Sequence, residues 1–356
     1  MKIIHCADIH LDSKLEANLP TTKSRERKKE VILSFLKMID YAEQNDVTAV
    51  IIAGDLFDSN RMLPTTANVI LGKIAQCKNT DFLYLCGNHD AGKALSELEL
   101  PTNLKLFDDS WVKYDYGNVT IHGVELTKDN CRHIYGSLFL DAETFNIVTM
   151  HGQLSSSSGE DMVNRTELSE KGINYLALGH YHKFDTGTLG KDGVWCYCGC
   201  LEGRGFDECG EKGFVVLDID ENGKYSMDFV KMSSRELYEI ECDISGVTNT
   251  AEILEIIDSK TKGIDSSSLI KLVLKGDISQ DTQKDVELFN THLNDKFWFA
   301  KVKDKTRLEI RYEEYINDIS LKGEFIRQAM ALDLDDEVRD RIIECGLRAL
   351  SGQEVL

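Results

Sequence analysis

The stretch Val47-Thr48-Ala49-Val50-Ile51-Ile52-Ala53-Gly54-Asp55-Leu56-Phe57-Asp58 decides the architecture. An apolar run rich in β-branched residues ends on a glycine, and an acid follows at once. Such a run reads as a buried strand whose carboxyl end carries polar groups. Working outward, residues 2–6 and 81–86 repeat the pattern, and the segments between them have helical spacing. Val31, Phe35, Met38, Ile39 and Ala42 fall on one face of a helix expected over 24–44, and a second helix over 65–77 follows Pro64. A βαβαβ opening is the sequence sign of a layered α/β sheet.

Further strands are expected at 119–124, 145–150 and 175–178, then an antiparallel finish over 194–197, 213–219 and 225–231. The pattern changes near Ser233. Beyond it, strands at 238–242, 269–274, 298–302 and 307–311 alternate with helices at 251–260 and 282–293. After Tyr315 only helices are expected, over 321–332 and 336–350. The organisation read from the sequence is a domain over 1–232, a small α/β unit over 233–315 and a helical segment over 316–356.

Composition narrows the class. The 356 residues, 42% hydrophobic and 29% charged, suit about two globular domains. No apolar run approaches the roughly 18 residues that span a bilayer. The N-terminus enters a strand without signal-peptide anatomy, so no membrane association and a cytoplasmic location are expected. Forty-one basic against 61 acidic side chains give a net charge of −20. The excess is spread evenly, 24 against 35 up to residue 232 and 17 against 26 after it. A chain that grips nucleic acid unaided shows a basic patch, so a role on nucleic acid must be local, metal-assisted or shared with a partner. Lys23, Arg25, Arg27, Lys28 and Lys29 form the one dense basic stretch. It reads either as a solvated helix face, partly neutralised by Glu26 and Glu30, or as a contact for a DNA backbone. Cys196, Cys198 and Cys200 alternate and so share a face. Buried thiols are the plainer reading of them, a soft-metal cluster the sharper one.

Chemistry collects at five strand ends. Residues 2–6 lead to Asp8-Ile9-His10, and 50–53 to Gly54-Asp55. Residues 82–86 lead to Gly87-Asn88-His89-Asp90, 147–150 to His151-Gly152, and 175–178 to Gly179-His180-Tyr181-His182. Ligands of open α/β sheets gather beyond the carboxyl ends of strands. That geometry brings carboxylates, an amide and five of the nine histidines to one edge. Such crowding is costly without a cation. Carboxylate and imidazole without thiolate suit Mn, Fe, Zn or Ni rather than Ca. A shared aspartate can bridge two ions about 3.5–4 Å apart, the separation used for in-line phosphoryl displacement.

In order and spacing the five motifs resemble calcineurin-like metallophosphoesterases, over residues 1–232. Within that superfamily the chain is similar to SbcD-type DNA repair exonucleases. The likeness is carried by Gly54-Asp55-Leu56-Phe57-Asp58 and by Tyr175-Leu176-Ala177-Leu178-Gly179-His180-Tyr181-His182-Lys183. It is carried also by Glu202-Gly203-Arg204-Gly205-Phe206 with Gly210-Glu211-Lys212-Gly213. The resemblance implies a layered α/β fold: a β-sandwich metallophosphoesterase domain flanked by helices, a small α/β capping domain and C-terminal helices. It implies two divalent ions, Mn first, with Fe, Zn or Ni as alternatives. One ion would sit on Asp8, His10, Asp55 and His182, the other on Asp55, Asn88, His151 and His180, with Asp55 bridging. His89 would stay unligated and stabilise or protonate the leaving oxygen, its ring oriented by Asp90. Asp58 would support the site rather than ligate. Ser59-Asn60 after Asp58, and Asp90 where phosphoprotein phosphatases carry Glu, argue against that subgroup.

The activity this implies is a dinuclear-metal-dependent phosphodiesterase, a DNA exonuclease or endonuclease working in repair with an SMC-like, SbcC-type coiled-coil ATPase. A homodimer is compatible with it. A small-nucleotide phosphodiesterase or phosphatase would use the same site. A scaffold protein with a vestigial site is opposed by the intact ligand set. The partner helices would be the last two, as a hairpin. Val338, Ile342, Cys345, Ala349 and Leu350 make one apolar stripe, and Leu321, Phe325, Ala329 and Leu332 another.

Overall fold

The computed structural model describes residues 1–350 except Lys14, Glu16, 58–62, His89, 91–97, 280–281, 310–314 and Ile316, with the backbone alone for Glu337 and Arg348. Asp58, His89 and the end of the strand expected over 307–311 therefore lie outside the described residues. The chain divides into two compact units, Met1–Leu237 and Tyr238–Leu356.

The first unit is built on two six-stranded sheets. One holds β1 (Lys2–Cys6), β2 (Ala49–Ala53), β3 (Asp81–Leu85), β4 (Leu104–Leu106), β13 (Gly213–Ile219) and β14 (Tyr225–Lys231), in the order β14-β13-β1-β2-β3-β4. The other holds β5 (Val112–Asp115), β6 (Val119–Gly123), β7 (Phe145–His151), β10 (Tyr175–Gly179), β11 (Asp185–Leu189) and β12 (Gly193–Tyr197), in the order β11-β12-β10-β7-β6-β5. Between β7 and β10 run a short parallel pair, β8 (Gln153–Ser155) and β9 (Met162–Asn164), and the single turn α3 (Arg165–Leu168).

Period-two alternation explains the layering. Ile3, Ile51, Leu83 and Val215 point from the first sheet to Ile121, Ile147, Tyr175 and Ala177 of the second and form the core between them. Their neighbours Ile4, Ile52, Phe82 and Phe214 point the other way. There they meet Val31, Phe35, Met38 and Ile39 of α1 (Thr21–Gln44) and Ile70 and Ile74 of α2 (Pro64–Gln76). Each such side chain contributes about 1.5–3 kcal/mol of burial.

Here the expected antiparallel finish divides. Residues 213–219 and 225–231 do close the first sheet antiparallel to β1. Residues 194–197 instead lie in the second sheet, parallel to β10 and antiparallel to β11, a strand that periodicity does not reveal. The loop that follows, turned by Gly199 at φ +73°, carries the chain from one sheet to the other.

The second unit has a three-stranded sheet in the order β15-β16-β18, from β15 (Leu237–Asp243), β16 (Leu269–Lys275) and β18 (Phe299–Asp304). A separate parallel pair, β17 (Asp277–Ile278) and β19 (Arg307–Leu308), follows β16 and β18 along the chain. Cys242, Ile270, Leu272 and Leu274 bury one face against Ile253 and Ile257 of α4 (Thr250–Thr261) and Phe289 and Leu293 of α5 (Val286–Lys296). Asn249 and Asp285 cap those helices by accepting from Glu252 N and Leu288 N.

The C-terminal pair is α6 (Leu321–Met330) and α7 (Asp336–Leu350). They pack through Ile326, Ala329, Ile343 and Leu347, with Phe325 over Gly346. Of the stripe expected on α6, Phe325 and Ala329 are in this contact, while Leu321 and Leu332 are exposed. The stripe expected on α7 is not in it: Val338, Ile342, Cys345, Ala349 and Leu350 are exposed. Among the described residues no helix is long and apolar enough to cross a membrane.

Candidate metal centre

The parallel arrangement of β1, β2 and β3, and of β7 and β10, brings their carboxyl ends to one edge. The loops there are tied by main-chain bonds from Asp8 N to Gly54 O (3.1 Å) and His10 N to Asp55 O (2.9 Å). The turns are tight enough that Asp8, His10, Asp55 and His180 all take positive φ, at 53°, 49°, 54° and 102°. Non-glycine residues adopt that region only at a cost. Glycine supplies the clearance. A Cβ on Gly54 would lie 2.1 Å from His151 Nδ1, and one on Gly87 would lie 2.1 Å from Asp55 Oδ1.

Six of the seven expected ligand side chains meet through side-chain atoms. His10 Nε2 lies 3.2 Å from His182 Nε2 and 3.7 Å from Asp55 Oδ2. His182 Nε2 lies 3.9 Å from Asp8 Oδ1. His151 Nε2 lies 3.4 Å from Asp55 Oδ2 and 3.1 Å from Asn88 Oδ1. The seventh, His180, packs its ring edgewise on His151 with centroids 5.4 Å apart, and its backbone N–H donates to both Asp8 oxygens. Two groups have donor atoms close enough to share one ion: Asp8, His10 and His182, and Asp8, Asp55 and His151. No thiol takes part in either. Cys196 and Cys198 belong to the inter-sheet core, and Cys200 is buried, which is the plainer of the two readings of that alternation.

The electrostatics ask for cations. Asp8 and Asp55 are each 1% exposed. Burial raises the Asp8 carboxyl above its usual range. Burial lowers His151, but the Asp55 hydrogen bond and the charge of Asp8 outweigh it and push the imidazole up to about 9. His151 Nδ1 faces Ala53 O at 2.9 Å, so it donates there and Nε2 is left toward Asp55 and Asn88. A buried set that draws protons onto His151 and His182 is one that a divalent ion satisfies instead, and these donors fit a pair of such ions.

Asp90 sits behind the edge. Its carboxylate accepts from Gly87 N (2.8 Å), Phe57 N (2.8 Å) and Leu56 N (3.3 Å), joining the second and third motifs. Burial raises it to about 6 against those bonds.

The sequence reading missed what surrounds His182. Glu208 Oε1 lies 2.6 Å from His182 Nδ1, and Arg204 brackets that carboxylate through its main chain and guanidinium. Lys212 Nζ donates to His182 O at 2.6 Å. A few residues earlier, Glu202 takes hydrogen bonds from Arg27 (2.9 Å), Ser34 (2.6 Å) and Ser234 N (2.5 Å). Arg27 is therefore no part of a solvated basic face: it is 1% exposed. The one trace of this in the sequence is the charged, glycine-rich run over 202–213.

Comparison with known proteins agrees with the geometry. The family model for calcineurin-like phosphoesterases matches residues 1–184, and the chain belongs to that family, a family of metal-dependent hydrolases that use two divalent ions. Among curated relatives, the uncharacterized metallophosphoesterase YhaO of Bacillus subtilis is 28% identical over 299 residues, covering 78% of this chain and 72% of that one. The DNA double-strand break repair protein Mre11 of Haloferax volcanii is 27% identical over 364 residues, covering 97% and 74%. The SbcD component of the nuclease SbcCD of Escherichia coli is 21% identical over 401 residues, covering 96% and 87%.

Proposed function

We propose that the chain is a DNA phosphodiesterase of the SbcD type that works with a coiled-coil ATPase. The observation that carries the chemistry is the convergence of Asp8, His10, Asp55, Asn88, His151, His180 and His182 on one edge. What supports DNA as the substrate is that the likeness to Mre11 of Haloferax volcanii runs over 97% of the chain, well past the 184 residues of the family match. A match confined to the first unit would favour no substrate.

In this reading one ion is held by Asp8, His10, Asp55 and His182 and the other by Asp55, Asn88, His151 and His180, with Mn the working metal. Asp55 lies between the two sets: its Oδ2 is 3.7 Å from His10 Nε2 and 3.4 Å from His151 Nε2. The ions supply Lewis acidity to the phosphodiester when bound. The chain's own work is to fix the donors at strained strand ends and to deliver a proton to the leaving oxygen from His89. Asp90 holds the third motif against the second. The second unit, which has no comparable cluster among its described residues, shapes access for a polymer. The exposed face of α7, with Val338, Ile342, Cys345 and Leu350, is the surface offered to the ATPase coiled coil. That partner would supply the basic DNA surface missing from a chain of charge −20.

Single-stranded DNA, hairpin DNA, cyclic nucleotides and bis-p-nitrophenyl phosphate, each with Mn, test the proposal. Cleavage of the DNA substrates is expected. Turnover of cyclic nucleotides with DNA left intact would replace it with the small-nucleotide reading.

A further inference from the structure

We infer that Glu208 is a positioning residue for the metal centre: it fixes the tautomer of His182 so that Nε2 is presented as a ligand. The inference rests on the two-ion reading above and adds to it a residue that stands outside the five motifs.

The geometry places a proton on Nδ1. Glu208 Oε1 stands 2.6 Å from His182 Nδ1. The same oxygen accepts from Arg204 Nη2 at 2.9 Å and Nε at 3.2 Å, while Oε2 accepts from Arg204 N at 2.7 Å. A guanidinium this close keeps the carboxylate ionised, and an ionised carboxylate only accepts. The proton between Glu208 and His182 is therefore on Nδ1. Arg204 Nη2 also lies 3.2 Å from Nδ1, but a lone pair on Nδ1 to accept from it would leave two acceptors, Nδ1 and the ionised Glu208 Oε1, 2.6 Å apart with no proton between them. With Nδ1 protonated, the lone pair of the neutral ring is on Nε2, which faces His10 Nε2 and Asp8. Lys212 holds the carbonyl of the same residue. One loop, 204–212, thus fixes both the ring and the main chain of His182. Glu208 is 4% exposed, so water cannot readily substitute for it. Groups that orient a ligating histidine from behind are worth about 10–100-fold in metal affinity.

The test has two independent arms. In the metal-free full-length protein with ¹⁵N-labelled histidine, His182, assigned by its loss in His182→Gln, should show a protonated Nδ1. An Nε2-protonated neutral ring would overturn the inference with no variant of Glu208 involved. In the second arm, apo protein is titrated with Mn by calorimetry. Glu208→Ala should weaken one ion about 10–100-fold and leave the other unchanged, while Glu208→Gln, whose amide oxygen still accepts from Nδ1, should stay near wild type. Wild-type affinity at both ions in Glu208→Ala would overturn it, as would equal loss in Ala and Gln. If wild type binds no divalent ion, the two-ion reading fails, and the ¹⁵N arm still decides the tautomer.

Discussion

The two units handle charge in opposite ways. In the second, acids are neutralised locally and near the surface: Asp258 by His292 and Lys296, Asp304 by Lys284, Glu239 by Lys271. Such exposed pairs are worth about 0–1 kcal/mol each, and they commit the chain to little. In the first, Asp8 and Asp55 are buried among histidines at backbone angles that cost energy. The contrast separates a unit organised for chemistry from one organised for packing. It also shows that the number of acids is a poor guide, since what distinguishes the centre is where its carboxylates are buried.

The sharpest attempt to break this contrast is Asp55→Asn. Turnover should fall below detection and bound metal should drop, with the thermal midpoint of the apo protein little changed. Full activity with both ions in place would remove Asp55 from the centre. Next is His89→Ala, which should keep both ions by elemental analysis and lose about 10²–10⁴-fold in kcat. Loss of an ion there would make His89 a ligand.

A third experiment sets the units against each other. A chain ending at Leu237 should hydrolyse bis-p-nitrophenyl phosphate and lose the preference for DNA proposed above; DNA cleavage at the wild-type rate would show the second unit to be dispensable. The end point matters. Stopping at residue 232 removes Ser234 N from Glu202 and Arg235 from Glu26 and Glu30. Leaving the buried Glu202 short of a donor should cost about 1–3 kcal/mol in denaturant melts.

The smallest effects lie in the helical hairpin. Leu347→Ala should destabilise the α6–α7 pair by about 2–5 kcal/mol. Ile342→Ser on the outer face should change stability by less than about 0.5 kcal/mol, yet reduce capture of the coiled-coil ATPase proposed as partner. Unchanged capture would move the partner surface elsewhere.

Much of this is legible in the sequence, for reasons that particular residues make plain. The strands that carry the site are buried on both faces, so they appear as unbroken runs such as 49–53, and their polar ends stand out against them. The edge strands of the second sheet do not: β5 alternates half-buried and exposed residues, β11 is exposed over most of its length, and both resemble loops. Residues 194–197 are legible as a strand but not as a member of the second sheet, because periodicity gives faces and not partners. Glu208 is invisible for a similar reason. Its partner His182 is 26 residues away, and nothing local tells a carboxylate that turns back to a histidine from one that faces water. The hairpin contact of α7 falls on a different stripe from the expected one because that helix has apolar residues on two sides, and only the position of α6 selects Ile343 and Leu347.

The positive φ angles at the strand ends carry a consequence for how such a centre persists. Each of Asp8, His10, Asp55 and His180 holds about 1–3 kcal/mol of backbone strain, and each would relax if replaced by glycine. Asp12, Asn18 and Asp46 also take positive φ, at 65°, 55° and 53°, so strain of this kind does not by itself mark a site. What sets Asp8, His10, Asp55 and His180 apart is that their side-chain types bind cations and meet at one edge, so relaxing any of them to glycine would gain backbone freedom only by giving up a donor.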